Sequence, residues 1–471
     1  MKFTVLSHAG LLVEQNACQL IIDPWLLGSC YWRSWWNYPE PPTDLITQLK
    51  PTYIYLTHLH WDHFHGATLK KLFPRDVCFL VPKVHTRRFR TDLKYLGFHN
   101  IKEMRHGEVV ELSNNFQICS YQSGLVDSAC VIYDGETVLL NVNDCKIFGL
   151  PLTQVTRRFP RIDFVFRSHS SASPVPYCLS NYEENEFNLK NTRTKMDYIE
   201  EFCLFSLRVH ARFAVPFASN HCFLHRDTVR FNNLAVSPSE VLPIYEGLAD
   251  KYRVQSECKI MVPGSSWDDR CGFRIVTFDF GVKDKHIEAL QNKNIRKLEA
   301  AYEAERNCLA DLTAFTNYFR EVFNAIPSLF LKLIQRNILF IIEDNRQVHY
   351  WCLNFAKKSV TKLADADSTS ITIETPALVI NDCCKQKMFS VWSASKRLKI
   401  TLPDIRSLRE LNYFFFFLDA YELELFPLKS HFNSRSVGIW ILRWREFLEA
   451  SHLVLKHFVF RRPFVIGDLY K

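Results

Sequence analysis

The string Thr57-His58-Leu59-His60-Trp61-Asp62-His63 directly follows the apolar run Tyr53 to Leu56, and it constrains the chain more than any other feature. A strand ends there and the backbone turns, so the side chains fan out over the strand's end. His58 and His60 leave such a loop on one side and can hold one metal ion. Asp62 and His63 can reach a second ion beside it. Neutral imidazole and carboxylate are donors that zinc, iron and manganese accept. Two such cations make a water acidic enough to be a nucleophile at neutral pH, and they polarise a phosphoryl or acyl oxygen. The alternative, a chance cluster of loop histidines, has to account for His65 and for His8 upstream as well.

The pattern around this string alternates strand and helix. Lys2 to Leu6, Gly10 to Glu14 and Cys18 to Ile22 read as strands, and Asp23-Pro24-Trp25 ends the third. Strands recur to about residue 270, with Asp134-Gly135 as a hairpin signal and a helix from about Arg193 to Arg212. Residues 284 to 335 are mainly helical, with apolar spacing near 3.6. Strand periodicity returns at ILFIIE, VHYWCLNF, SITIET, FSVWSA and RLKITL, followed by helices at Arg406 to Asp419 and Val437 to Val459. The organisation expected is a metal-binding domain over 1–275, a helical connector over 276–336 and an α+β domain over 337–471, which would serve as a lid or partner surface. A chain of 471 residues has room for two or three domains.

Composition excludes several classes. Apolar residues make up 47% and charged residues 23%, ordinary for a packed protein and wrong for a disordered tail or a rod. The net charge of +8 is spread along the chain, which suits an anionic small molecule better than nucleic acid. No apolar run reaches 18 residues, and His8 and Glu14 break any leader-like segment. A soluble, cytoplasmic protein with no membrane partner is expected. The fifteen cysteines are scattered and odd in number, and they read as reduced, buried thiols.

The order of strands, Asp-Pro-Trp and H-x-H-x-D-H resembles the N-terminal half of metallo-β-lactamase-fold proteins. SHAG around His8 is similar to a turn of ascorbate-6-phosphate lactonase-like hydrolases. A closer resemblance is to the metallo-β-lactamase-like portion of the CMP-N-acetylneuraminate hydroxylase family. It rests on Asp23 to Leu26, Trp35-Trp36, Pro41-Pro42, His58 to His63, Thr68 to Leu72, Asn141 to Cys145, Pro216 to Ala218, His225 and Pro263-Gly264. The likeness covers residues 1–270 well and the remainder loosely. It implies an αββα sandwich followed by the connector and the smaller α+β domain. It also implies a pair of divalent transition metals held by His58, His60, Asp62, His63, Asp144 as the bridging carboxylate, and His225. His221 and His169 are the other candidates for that last position. Where the superfamily supplies one more histidine, the chain reads SGLVDSAC, and Asp127 is the nearest donor. The sequence holds no Cys-x-His to pair with a Cys-x-x-His, as the family's iron–sulfur domain requires, so an oxygenase would need electrons from a redox partner.

Arg33, Trp35 and Trp36 belong to a tryptophan-rich loop that either seals the sheet edge or contacts substrate. The favoured function is a hydrolase of a small anionic molecule, with a nucleotide- or sugar-containing one among the candidates. In it a metal-bound hydroxide attacks a phosphoryl or acyl centre, with Asp62 as the catalytic carboxylate. The alternatives are a non-haem iron oxygenase, a nucleic-acid hydrolase and a degenerate binding module.

Overall fold

The computed structural model describes residues 1–180, 195–458 and 470. The starting residue Arg193 and the end residue Val459 of two expected helices lie outside the described residues. Two sheets stack face to face. The first has eight strands, in the order Gly272–Arg274, Ser266–Asp268, Lys2–Val5, Leu11–Gln15, Cys18–Ile22, Tyr53–Tyr55, Cys78–Pro82 and Ile101–Met104. The second has seven: Glu257–Cys258, Phe213–Phe217, Phe164–Ser168, Val138–Asn143, Asp127–Tyr133, Phe116–Ser123 and Glu108–Ser113.

Strand alternation explains the layering. Phe3, Val5, Leu11, Val13, Leu20 and Ile22 face inward, where they meet Ile118, Ile132, Leu139, Phe164, Phe166 and Val215 of the second sheet. The other face of the first sheet carries Leu12, Ile21, Ile54 and Phe79, which pack on Leu69, Phe73, Phe89 and Leu93 from two helices. The outer face of the second sheet carries Leu140, Val165 and Ala214, which are covered by Val155, Phe202, Phe205, Val241 and Tyr245. This is the αββα sandwich expected from the sequence.

Helices Lys283–Lys293, Ile295–Arg306 and Leu312–Ala325 follow, then a five-stranded sheet. Its order is Ser359–Leu363, Val348–Asn354, Ile338–Glu343, Ile371–Pro376 and Lys399–Thr401. One expected strand is corrected. FSVWSA forms the helix Phe389–Ser395, because its buried positions, Phe389, Val391, Trp392, Ala394 and Ser395, fall on two sides of a strand but wrap a helix set between neighbours. The Asp134-Gly135 turn does join two antiparallel strands, pairing Tyr133 with Val138. All fifteen cysteines are free. Among the described residues, no helix is long and apolar enough to cross a membrane.

Candidate metal centre

The parallel strands Cys18–Ile22, Tyr53–Tyr55 and Cys78–Pro82 run in one direction, so their C-terminal ends share an edge of the sandwich. Ligand-bearing loops gather at such edges. Asp23 and Asn143 each turn the chain at a strand end with positive φ, 44° and 46°. The Asp23 carboxylate then accepts the Thr57 N–H at 2.8 Å, which ties the first turn of the histidine loop to the neighbouring strand.

Around this tie the loop places His58, His60, Asp62 and His63 together. His58 Nε2 lies 3.0 Å from His60 Nδ1. His63 Nδ1 lies 2.8 Å from Asp23 Oδ2, and its Nε2 lies 3.4 Å from Asp62 Oδ2 and 3.3 Å from Asp144 Oδ2. His8 Nε2 reaches Asp62 Oδ2 at 3.1 Å. The donor atoms of His8, Asp62 and His63 lie within 4.8 Å of one another, and so do those of Asp23, His58 and His63. Asp62 and His63 are fully or almost fully buried.

Charge in this pocket is one-sided. Burial disfavours the imidazolium of His63, but Asp62, Asp23 and Asp144 hold its pKa well above the usual value. Burial pushes the Asp62 carboxyl up, and His63 and His8 more than reverse this, leaving it well below the usual range. Asp144 is lowered in the same way, with His63 overcoming burial. Burial and the neighbouring rings of His63 and His60 keep His58 well below its usual value, and hence neutral. The ion pairs of Asp23, Asp62 and Asp144 are with histidines, and no lysine or arginine salt bridge reaches them among the described residues. His8 Nδ1 and His221 Nδ1 are buried without hydrogen-bond partners, and His63 Nε2 faces only the Asp62 and Asp144 carboxylates. Unpaired lone-pair donors around concentrated carboxylate charge are what a divalent cation would satisfy, so the donor set fits a metal.

The remaining candidates divide. His221 comes to the site: its ring stacks on Trp35 at 3.6 Å with planes 2° apart, and it lies 5.4 Å from the His8 ring. The strand His221–Phe223 pairs with Trp35–Asn37, which fixes that position. His225 is not brought to the cluster, a correction to the ligand set. Leaving that strand, the chain carries its ring away to Glu305, 3.3 Å from Nε2, and Asp227, 3.6 Å from Nδ1. His169 is buried, with its pKa lowered to about 4 by desolvation, and it joins none of the clustered donor groups found among the described residues. His65 caps the helix Gly66–Leu72 by accepting the Thr68 N–H. Asp127 and the histidines share a cavity of about 280 Å³, whose walls include His58, His60, Trp61, Arg88, Ser390 and Asp419. Burial raises the pKa of the Asp127 and Asp419 carboxyls above the usual carboxylate value.

The expected substrate contacts are corrected too. Trp35 and Trp36 are 3% and 4% exposed. His221 covers a face of Trp35, and Trp36 packs with Leu224, Ile287 and Leu298. Arg33 points to Ser29 Oγ at 3.1 Å on the surface. The aromatic lining of the cavity is Trp61 instead. Sequence reasoning passed over Asp23 and Tyr31 as site residues and left His8 uncommitted. Asp-Pro-Trp at a strand end marks Asp23, but nothing local marks Tyr31, whose hydroxyl donates to Asp62 Oδ1 across 31 positions.

Comparison with known proteins places this geometry among relatives. No family model matches the chain. The mouse cytidine monophosphate-N-acetylneuraminic acid hydroxylase is 29% identical over 153 residues, which is 31% of this chain and 26% of that protein. The resemblance to the hydroxylases stands. A Mycobacterium tuberculosis protein named as a Rieske 2Fe-2S iron–sulfur protein is 28% identical over 284 residues, 57% of this chain and 54% of the relative. The chain thus spans about half the length of that curated relative, and a quarter of the hydroxylase. Among solved structures, an isothiocyanate hydrolase from Delia radicum gut bacteria aligns at TM-score 0.39 and 14% identity, over 57% of this chain and 99% of that one. CmlA, a diiron β-hydroxylase from Streptomyces venezuelae, aligns at 0.36 and 15%, over 56% and 53%. The similar proteins include metal-dependent hydrolases as well as hydroxylases.

Proposed function

We propose that the protein is a metal-dependent enzyme that hydrolyses a small anionic molecule at a phosphoryl or acyl centre. The observation that carries this is the carboxylate-rich imidazole cluster, whose carboxylates meet no lysine or arginine among the described residues, opening on a cavity of about 280 Å³. His58 and His60 would hold one metal, Asp62 and His63 a second, with Asp144, His8 and His221 in reach of the pair. A pair of divalent transition metals, zinc, iron or manganese, supplies an acidified water and polarises a substrate oxygen. The chain's own groups do the rest. Arg88 draws an anion to the cavity. Trp61 gives its apolar part a surface. Met388, Val391 and Leu423, from beyond the sandwich, close the far wall and exclude water. Asp127 and Asp419, whose carboxyls burial raises, line the same cavity and would face a substrate oxygen. The volume suits a compact anion, so a nucleotide- or sugar-containing substrate would enter only in part.

A second reading is an iron oxygenase fed by a separate electron donor. It is favoured by Asp127, a carboxylate at the cavity where the superfamily supplies a histidine, since oxygen-rich donor sets suit iron better than zinc. The matched hydroxylases support the same reading. Zinc-loaded and iron-loaded protein, assayed anaerobically on phosphorylated and acylated substrates, separates the two. Turnover without oxygen or reductant is the expected result. Turnover only with iron, oxygen and an electron donor overturns the hydrolase and leaves the oxygenase.

A further inference from the structure

Tyr31, Trp32 and Arg33 are three consecutive non-glycine residues with positive φ, 55°, 53° and 65°. L-residues avoid this region because Cβ crowds the carbonyl oxygen, so such a turn persists only where its surroundings enforce it. Here the enforcement comes from the far end of the chain. Trp32 Nε1 donates to Asp382 Oδ2 at 2.9 Å, and Arg397 Nη1 donates to the Trp32 carbonyl at 3.0 Å. Ser34 Oγ donates to the Ser395 carbonyl at 2.6 Å. Arg397 is itself fixed by Glu305, 2.8 Å away.

On its inner side the turn delivers one group. Tyr31 is 1% exposed, stacks on Trp61 at 5.8 Å and 9°, and donates its hydroxyl to Asp62 Oδ1. A phenylalanine would fill the same space, so packing does not explain the hydroxyl. What the hydroxyl does is occupy one oxygen of Asp62. The other, Oδ2, is left to face His8 at 3.1 Å and His63 at 3.4 Å. Burial and the nearby Asp62 raise the Tyr31 pKa well above its usual value, so it stays a donor.

We propose that this left-handed turn couples the C-terminal sheet and helices to the metal centre: Asp382, Ser395 and Arg397 hold the turn, and the turn aims Asp62 through Tyr31, a positioning residue. The proposal rests on the metal reading of Asp62. It implies that the centre reaches its binding geometry only when the C-terminal residues are docked on the turn.

The test uses the full chain stripped of metal and titrated with Co²⁺, as wild type, Tyr31→Phe, Asp382→Ala and the double variant, with melting of each apo form to confirm folding. Trp32→Phe, which removes the same indole N–H, replaces Asp382→Ala should that variant not fold. Tyr31→Phe is expected to weaken Co²⁺ binding about 10-fold and to change the cobalt absorption bands, as loss of a ligand's hydrogen-bond partner does. Asp382→Ala is expected to weaken binding roughly 3-fold with the same change of bands, and the double variant to bind no more weakly than Tyr31→Phe. Unchanged affinity and bands in Tyr31→Phe or in the anchor variant overturn the proposal, as do single effects that multiply in the double variant. Absence of Co²⁺ binding by the wild type overturns the metal reading along with it, whereas wild-type binding matched by Tyr31→Phe removes the coupling alone.

Discussion

His63 and His225 are both buried histidines beside carboxylates, and they sit in opposite electrostatic settings. Around His63, the ion pairs of Asp23, Asp62 and Asp144 among the described residues are all with imidazoles. Around His225, the Arg397 guanidinium lies 2.8 Å from Glu305 and 3.0 Å from Asp227. The place a cation would take is already filled by one the protein supplies. The pKa directions follow. His63 is raised by its carboxylates against burial, while burial, with Arg397 adding to it, outweighs Glu305 and lowers His225. An inventory of donors therefore does not mark a metal site. What matters is whether a side-chain cation already neutralises the carboxylates.

The strongest way to break this contrast is to remove ligands from each cluster. Replacing both His58 and His60 with Ala should abolish binding of the first metal, and His225→Ala should leave the stoichiometry intact. Elemental analysis decides between them; full metal in the double variant, or a loss in the single one, reverses the assignment. Arg397→Ala attacks the second cluster from its own logic. It leaves Glu305 with a buried, uncompensated charge and should cost about 3–5 kcal/mol in denaturant unfolding. A cost under about 1 kcal/mol would mean that the guanidinium does not hold the cluster together.

Lys396, next in sequence to Arg397, sharpens the point because no carboxylate among the described residues pairs with it; its Nζ donates to the Ala172 carbonyl at 3.3 Å. Its ammonium lies among the rings of Trp35, Tyr177 and Phe223, 5.7–5.9 Å from their centroids, and burial lowers its pKa to about 8. The folded pKa is below the unfolded one, so the penalty is complete below about pH 8 and relaxes as pH rises toward the unfolded value. Wild type should therefore gain about 2 kcal/mol over Lys396→Met between pH 7.5 and 9.5. Parallel stability curves for the two proteins would refute it. The smallest effect belongs to Arg33→Ala, an exposed residue outside both clusters. It should shift stability by less than about 0.5 kcal/mol and leave metal content unchanged; a fall in metal content would show that its side chain reaches the centre.

The sequence made the sandwich and the histidine loop legible because both are local. Alternating apolar residues announce strands, and four site residues, His58, His60, Asp62 and His63, lie in one turn. Asp144, after the strand Val138–Asn143, was suggested by the family resemblance, and its carboxylate lies 3.3 Å from His63 Nε2. His221 and His225 were not separable from the sequence, because pairing of His221–Phe223 with Trp35–Asn37 is a long-range event that decides which ring enters the site. Tyr31 was invisible for a related reason: its place depends on a turn that residues more than 350 positions away enforce. Trp35 and Trp36 misled because aromatic content near a pocket says nothing about which face is covered.

Strand Lys2–Val5 lies between Leu11–Gln15, formed almost at once, and Ser266–Asp268, which arrives some 260 residues later. At roughly 5–20 residues per second, its outer edge waits tens of seconds on the ribosome without a partner. An unpaired, apolar edge is a template for pairing with other chains, and contacts this far apart slow folding. The pairing that covers this edge, with Phe3 against Trp267 at 5.8 Å, thus also ends an interval in which a nascent chain is open to aggregation.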